Sequence, residues 1–363
     1  MLLYLLPFAL VAGLGWYFSD VLLRPVRGSY LPETVRATTR GEVWLDRGRW
    51  AELPGTWGLR WAGGSTLVGP VIGTGAGVVR RGLVDPVGPV PPPGARAALD
   101  AGLVAADPAE LGLPFETVAV PAPLGECPAW LVPADGRTWV VAVHGRGADR
   151  RECLRVLPTL HRLGHPVLAV SYRNDADAPP SPDGRYHLGD TEWTDLAAAV
   201  GYARAHGAGA VVLYGWSMGA AIIGAYLDRA VPEAASVRAV VWDSPLLDWR
   251  ATLRQQGRVR RLPGALTWTA TRLTARRIGI DFDRFDLLTR PPAVRPPTLV
   301  LHGDADTAVP AGPSRRLAGL AGALGWTVEY REFPGAEHTA AWNTDARRYE
   351  AEVARFLAEH APR

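Results

Sequence analysis

Residues 213–222 read LYGWSMGAAI. An apolar run ends at Gly215, a serine stands between two glycines, and small residues follow it. A strand ending in an ordinary turn has no need of this pattern. A sharp strand-to-helix turn does, because it forces its central residue to an unfavourable φ/ψ and leaves its neighbours almost no room for side chains. Gly215, Trp216, Ser217, Met218 and Gly219 fit G-x-S-x-G, and the flanking AVVLYG and AAIIGAYLDRA supply the strand and helix that the motif requires. In a chain with 40 glycines the pentapeptide alone is a weak signal. Its setting is what marks Ser217 as a nucleophile.

A serine hydroxyl is a poor nucleophile at neutral pH, so it needs a histidine to take its proton and an acid to orient that histidine. On this type of turn the chain order is Ser, acid, His. Downstream of Ser217 stand three histidines, His302, His338 and His360. His302 ends a strand and His360 lies in the terminal tail. His338, in FPGAEHTAAW, follows the last strand on a Gly-containing loop, where the base belongs. In HGDADTAVP, Asp306 lies further past the strand end than Asp304 and is the preferred acid. Negative charge on the carbonyl oxygen needs two N–H donors. The Met218 amide is one, and VAVHGRGADR (142–150) supplies the other from Arg146, with Gly147 next. His144 reads as a structural residue of that loop. Trp216, Tyr172 and Arg173 are candidates for the wall of the substrate pocket.

Around this centre, apolar runs at 117–120, 129–132, 138–145, 166–172, 210–215, 238–244, 297–303 and 327–333 alternate with helix-like stretches at 149–163, 190–206, 217–229, 313–324 and 345–359. Such alternation predicts an α/β fold over 115–361, with a mostly parallel sheet covered on both faces and the site at the carboxyl ends of its strands. Residues of about 246–292 carry helix-like stretches but no strand, which predicts a helical cap inserted above the site.

Residues 28–110 are different: short alternating or aromatic runs cut by glycine predict a small, irregular β-rich unit, and VDPVGPVPPPGARA predicts a linker at roughly 84–96. Trp44, Trp50, Trp57 and Trp61 belong to this unit and read mainly as packing residues. The first 19 residues carry no charged side chain. As a helix, residues 2–19 would be about 27 Å long, close to a hydrocarbon core of about 30 Å. Without a basic leader or small-x-small exit, 1–23 is expected to be an uncleaved membrane anchor. Arg24, Arg27, Arg36 and Arg40 follow the span and predict a cytoplasmic catalytic part. The alternative is an apolar helix packed on the body of the protein.

Composition narrows the function classes. The chain has 363 residues, 48% hydrophobic and 21% charged, as expected for a globular protein with a packed core. A net charge of +3, with basic residues scattered along the sequence, argues against a nucleic-acid binder. All 39 basic residues are arginine, which reads as coding bias. Two cysteines, Cys127 and Cys153, supply no metal site or disulfide framework and read as buried thiols, with one disulfide as the alternative. The acids of 171–196 read as turn formers and a helix cap rather than metal ligands. No cofactor or metal is expected, and nothing in the sequence sets an oligomeric state.

HGRG, GWSMG, GDADTAVP and GAEH, in this order and at these separations, resemble the α/β-hydrolase fold serine hydrolases, most closely the membrane-anchored, prolyl-oligopeptidase-related hydrolases of the ABHD type. The resemblance covers about 115–360 and implies that Asp306, in G-x-x-D-x-x-V-P, is the triad acid and that a cap follows WDSP (242–245). The expected activity is hydrolysis of an acyl ester or thioester of a lipid-like or acylated substrate through an acyl-enzyme. A serine peptidase, an acyltransferase and an inactive membrane-bound binding protein are the alternatives.

Overall fold

The structure is a computed structural model that describes residues 2–28, 30–84 and 90–362, and of residues 2–9 the backbone alone. After α1 (Leu2–Leu23), six strands close into a barrel in the order β1-β2-β5-β4-β3-β6. They are β1 (Glu33–Thr38), β2 (Glu42–Asp46), β3 (Trp57–Trp61), β4 (Gly64–Gly75), β5 (Val78–Val84) and β6 (Arg96–Asp100). Every pairing is antiparallel, and the inward residues Val35, Val43, Leu45, Leu59, Val68 and Val79 form the core. Closure leaves no free strand edge. The Pro/Gly-rich stretch expected to be a linker is a connection inside the barrel, because the chain returns as β6; residues 85–89 lie outside the described residues.

One barrel feature departs from simple packing. Arg81 is fully buried, and its guanidinium donates to the carbonyls of Gly69, Ala51, Leu53 and Gly55. Burial lowers its pKa to about 10. Four carbonyl acceptors satisfy the cation where no carboxylate is offered, and they fix the 51–55 loop that faces the second domain.

That domain holds an eight-stranded sheet ordered β14-β13-β12-β11-β9-β10-β8-β7. Its strands are β7 (Glu116–Ala122), β8 (Gly125–Val132), β9 (Thr138–Val143), β10 (Val167–Val170), β11 (Ala210–Trp216), β12 (Val237–Asp243), β13 (Thr298–Gly303) and β14 (Val328–Phe333). All eight apolar runs become strands, and β9 to β14 pair in parallel while β7 and β8 add antiparallel at one edge. The fold is that of the α/β hydrolases, as expected.

The helices are α2 (Leu157–Arg162), α3 (Trp193–Ala205), α4 (Met218–Arg229), α5 (Val231–Ala234), α6 (Trp249–Val259), α7 (Gly264–Ile278), α8 (Ala311–Leu320), α9 (Ala341–Thr344) and α10 (Ala346–His360). Leu196, Val200, Ile222 and Leu317 from α3, α4 and α8 cover one sheet face. Leu157, Leu160, Val353 and Phe356 from α2 and α10 cover the other. Strands buried on both sides must be apolar throughout, which is why they read as continuous runs. Cys127 and Cys153 are buried free thiols, and burial pushes both up to about 12.

The expected membrane anchor finds no support: among the described residues, no helix is long and apolar enough to cross a membrane. The C-terminal half of α1 packs on α7 of the cap. Ser19 and Leu23 are buried there, and Arg277 pairs with Asp20 at 2.7 Å while lying 4.0 Å over the Trp16 ring. This half of α1 packs on the body of the protein while Trp16, Tyr17 and Val21 stay exposed, and the orientation inferred from the flanking arginines is unsupported together with the anchor.

Candidate active site

Ser217 follows β11 directly and begins α4, with φ 50° and ψ −114°. Its amide donates to the Asp243 carbonyl at 3.0 Å, and a side chain at either neighbouring glycine would not fit. A Cβ on Gly219 would lie 2.2 Å from the Val143 carbonyl oxygen, and one on Gly215 2.6 Å from Ile223. The glycines of the motif are therefore there so that the turn can press against β9 and α4.

Ser217 Oγ stands 2.8 Å from His338 Nε2, and His338 Nδ1 stands 2.7 Å from Asp306 Oδ2. The structure thus brings together all three residues singled out in the sequence. Asp304 turns elsewhere, accepting from the Gly335 amide at 2.7 Å. Asp306 is buried and saturated: Oδ1 accepts from the amides of Ala308 and Val309, both at 2.8 Å. Its Oδ2 is shared with His302 Nε2 at 3.2 Å, whose Nδ1 meets Ser314 Oγ at 2.8 Å. Because His302 Nε2 also faces the Val309 carbonyl, that nitrogen carries the proton and the ring donates to the acid. Burial opposes the charge on Asp306, but His338 and His302 outweigh it and hold the carboxyl well below the usual range. On His338 burial disfavours the imidazolium, yet the Asp306 carboxylate prevails and raises its pKa above the ordinary histidine value.

Of the proposed oxyanion donors, Met218 opens α4, where no carbonyl of the helix lies behind its amide. Among the described residues the Arg146 amide has no hydrogen-bond acceptor. The loop bearing it is fastened by Glu152, a buried carboxylate that accepts from the Gly145 amide at 2.7 Å. Burial raises the Glu152 pKa, and Arg155 beside it pulls the other way. His144 is buried, paired with Asp175 at 2.8 Å and stacked on Tyr172. Burial opposes its proton, but the Asp175 carboxylate takes it up to about 9. It braces the loop and does not reach Ser217.

The three proposed pocket residues stand elsewhere. Trp216 is buried against Tyr214, with ring centroids 4.4 Å apart. Tyr172 is buried with its hydroxyl donating to the Gly145 carbonyl at 3.2 Å. Arg173 forms a buried fork with Asp195 at 2.6 and 2.7 Å. All three support the loops around the site and line neither of its cavities. Sequence reasoning also missed Glu152 and His302 as supports.

Two cavities meet at Ser217 and His338. One of about 290 Å³ lies beneath the cap and is mainly apolar, with Phe18 and Leu22 of α1, Trp249 and Leu253 of α6, and Met218 in its wall. The other, about 820 Å³, lies between the domains and carries Arg49, Trp50 and Arg60 of the barrel side. A hydroxyl activated by a histidine and acid, with free amides beside it, can attack a carbonyl and hold the resulting oxyanion.

Comparison with known proteins bears on the family and the fold. The pattern described as "Prolyl oligopeptidase family" matches residues 181–362, half of the chain. A second, described as "Domain of unknown function (DUF8805)", matches residues 34–100, which is nearly the span of the barrel. A search of curated proteins returns no match. Among solved structures, the Pyrococcus furiosus esterase Pf2001 aligns with TM-score 0.55 and 20% identity, covering 70% of this chain and 96% of that one. An alpha-beta hydrolase from Vibrio vulnificus aligns with TM-score 0.52 and 20% identity, covering 69% and 83%. At this identity the likeness is one of fold.

Proposed function

Because this chain belongs to the prolyl oligopeptidase family and has an α/β-hydrolase fold, we propose that it is a serine hydrolase cleaving a small or lipid-like acyl ester or thioester. The observation that carries this reading is the continuous chain from Ser217 through His338 to Asp306, at 2.8 and 2.7 Å, on a strained turn.

Ser217 Oγ attacks the carbonyl carbon as His338 Nε2 takes the hydroxyl proton, and Asp306 steadies the imidazolium. The amides of Met218 and Arg146 hold the oxyanion. His338 returns its proton to the departing alcohol or thiol, leaving an acyl-Ser217. Water then enters, gives a proton to His338 and its oxygen to the acyl carbon; collapse frees the acid, and Ser217 recovers the proton.

The apolar compartment beneath the cap supports an acyl substrate, and the larger cavity of mixed lining between the domains leaves room for the leaving group. The family itself favours a second reading, a serine peptidase, with the same three residues acting on an amide. Two measurements separate these. Wild-type protein should label with a fluorophosphonate probe and hydrolyse p-nitrophenyl acyl esters while sparing aminoacyl p-nitroanilides. Ser217→Ala should lose labelling and about 10⁴–10⁶-fold in kcat. Cleavage of the anilides in preference to the esters would select the peptidase, and no labelling of the wild type would overturn both.

A further inference from the structure

The cap has a second face, away from Ser217. Residues 249–280, which hold α6 and α7, contain eight arginines and no acidic residue. The whole chain, with 39 basic and 36 acidic residues, reaches only +3, so everything outside this hairpin is net negative. Four of the eight, Arg250, Arg254, Arg258 and Arg272, gather on one groove, while Arg277 turns inward to Asp20.

Helix periodicity does the gathering. Arg250, Arg254 and Arg258 recur every four residues on α6, and Trp268 and Arg272 do the same on α7. With Leu262 they line a groove of about 700 Å³ between the helices. Asp283 pairs with Arg250, and Asp248 lies 3.9 Å from Arg254, at the outer limit of an ion pair. Among the described residues Arg258 and Arg272 have no carboxylate partner. Arg272 lies 4.9 Å over the ring of Trp268, which is 61% exposed. Trp268 therefore stands exposed beside two guanidinium groups, Arg258 and Arg272, that no carboxylate balances.

We propose that this groove binds the phosphate-bearing headgroups of an anionic lipid surface and docks the outer face of the cap upon it. Guanidinium forks match phosphate oxygens two at a time. Tryptophan, apolar in body and polar at one edge, settles at the level of lipid headgroups. Basic residues clustered on amphipathic helices beside a bilayer each contribute to such attraction. A single-stranded nucleic acid would need successive aromatic platforms as well as charge, and the groove offers one ring. Docking differs from spanning, and it requires no transmembrane helix. The inner side of the same hairpin, through Leu253 and Ala270, walls the apolar compartment at Ser217, so a docked cap would place that compartment next to the bilayer.

The full chain is tested by co-sedimentation with vesicles of phosphatidylcholine alone and of phosphatidylcholine with phosphatidylserine. Preferential binding to the serine-lipid vesicles, weakening with salt, is expected. At about fivefold per arginine, Arg254→Gln/Arg258→Gln/Arg272→Gln should weaken that binding by roughly a hundredfold. The corresponding triple lysine variant should keep most of it. Thermal melting reports whether each variant is folded, independently of any enzymatic activity. Equal binding to both vesicle types would overturn the proposal, as would undiminished binding by the folded glutamine variant. So would release from vesicles by glycerophosphoserine at matched ionic strength, which would assign the groove to a soluble phosphate compound.

Discussion

At the scale of single residues, the site turns on where the proton of His338 resides. The imidazole must be neutral to accept from Ser217, and the Asp306 carboxylate raises its pKa above the ordinary histidine value of 6.5. A raised pKa keeps the ring protonated, and so inactive as a base, to higher pH. The acid limb of kcat/KM should therefore lie above 6.5. In Asp306→Asn it should fall, together with a loss of roughly 10⁴-fold in kcat, because the ring loses both its charge partner and its orientation. A pH-rate profile of wild type and variant checks this, and a wild-type limb at or below 6.5 would contradict the role given to Asp306. The three residues were legible because the chemistry dictates their types, and the strand-turn-helix setting dictates their order and strand-end positions. The supports Glu152 and His302 were not, since a polar side chain turned inward looks the same in sequence as one turned to solvent. Trp216 was misplaced for a related reason: adjacency to Ser217 in sequence does not put its side chain on the same side of the strand end.

At the scale of elements, α1 belongs to the site. The Arg146 guanidinium donates to the carbonyls of Val21, Leu22 and Arg24 at 2.7, 2.9 and 3.3 Å, the C-terminal end of α1. A cation there meets unsatisfied carbonyls and the negative end of the helix dipole. It also fixes the backbone whose amide is assigned to the oxyanion. Arg146→Met keeps length and removes these bonds, so kcat should fall by about 10–100-fold with a smaller change in KM, through displacement of that amide. Steady-state kinetics on a p-nitrophenyl ester measure the split, and an effect confined to KM would remove the positioning role. Elements were legible in proportion to the strength of their pattern. The eight sheet strands are apolar throughout because both faces are covered, which a sequence displays directly. Residues 2–19 could not be placed from sequence, because an uncharged helix reads alike whether lipid or protein packs against it. The barrel strands, short and cut by glycine, announced β structure but not closure, which depends on the distant pairing of β1 with β6.

At the scale of the whole molecule, the barrel reaches the triad loops through few contacts. Asn343 Nδ2 donates to the carbonyls of Thr56 and Ala101 at 2.9 and 3.1 Å, which ties α9, just after His338, to the barrel side. Arg49 extends from the barrel side to Thr307 Oγ1 at 2.9 Å and Glu337 Oε1 at 2.8 Å, the residues next to Asp306 and His338. Glu337 is 3% exposed, and it also accepts from the Thr307 amide at 2.8 Å. Removing Arg49 would leave a buried carboxylate with Thr307 alone, beside His338. Since the Arg49 side chain is half in solvent, the stability lost in Arg49→Ala should be modest, about 1 kcal/mol. The effect on catalysis should be larger in proportion, because an uncompensated negative charge near His338 favours its imidazolium and moves the acid limb of kcat/KM further up in pH. Glu337→Gln should cancel that movement, and the double variant Arg49→Ala/Glu337→Gln should resemble Glu337→Gln alone, since the two residues act as one unit. Melting curves and pH-rate profiles of the four proteins complete the cycle. Additive changes across it would mean that the barrel only roofs the larger cavity and exerts no hold on the triad.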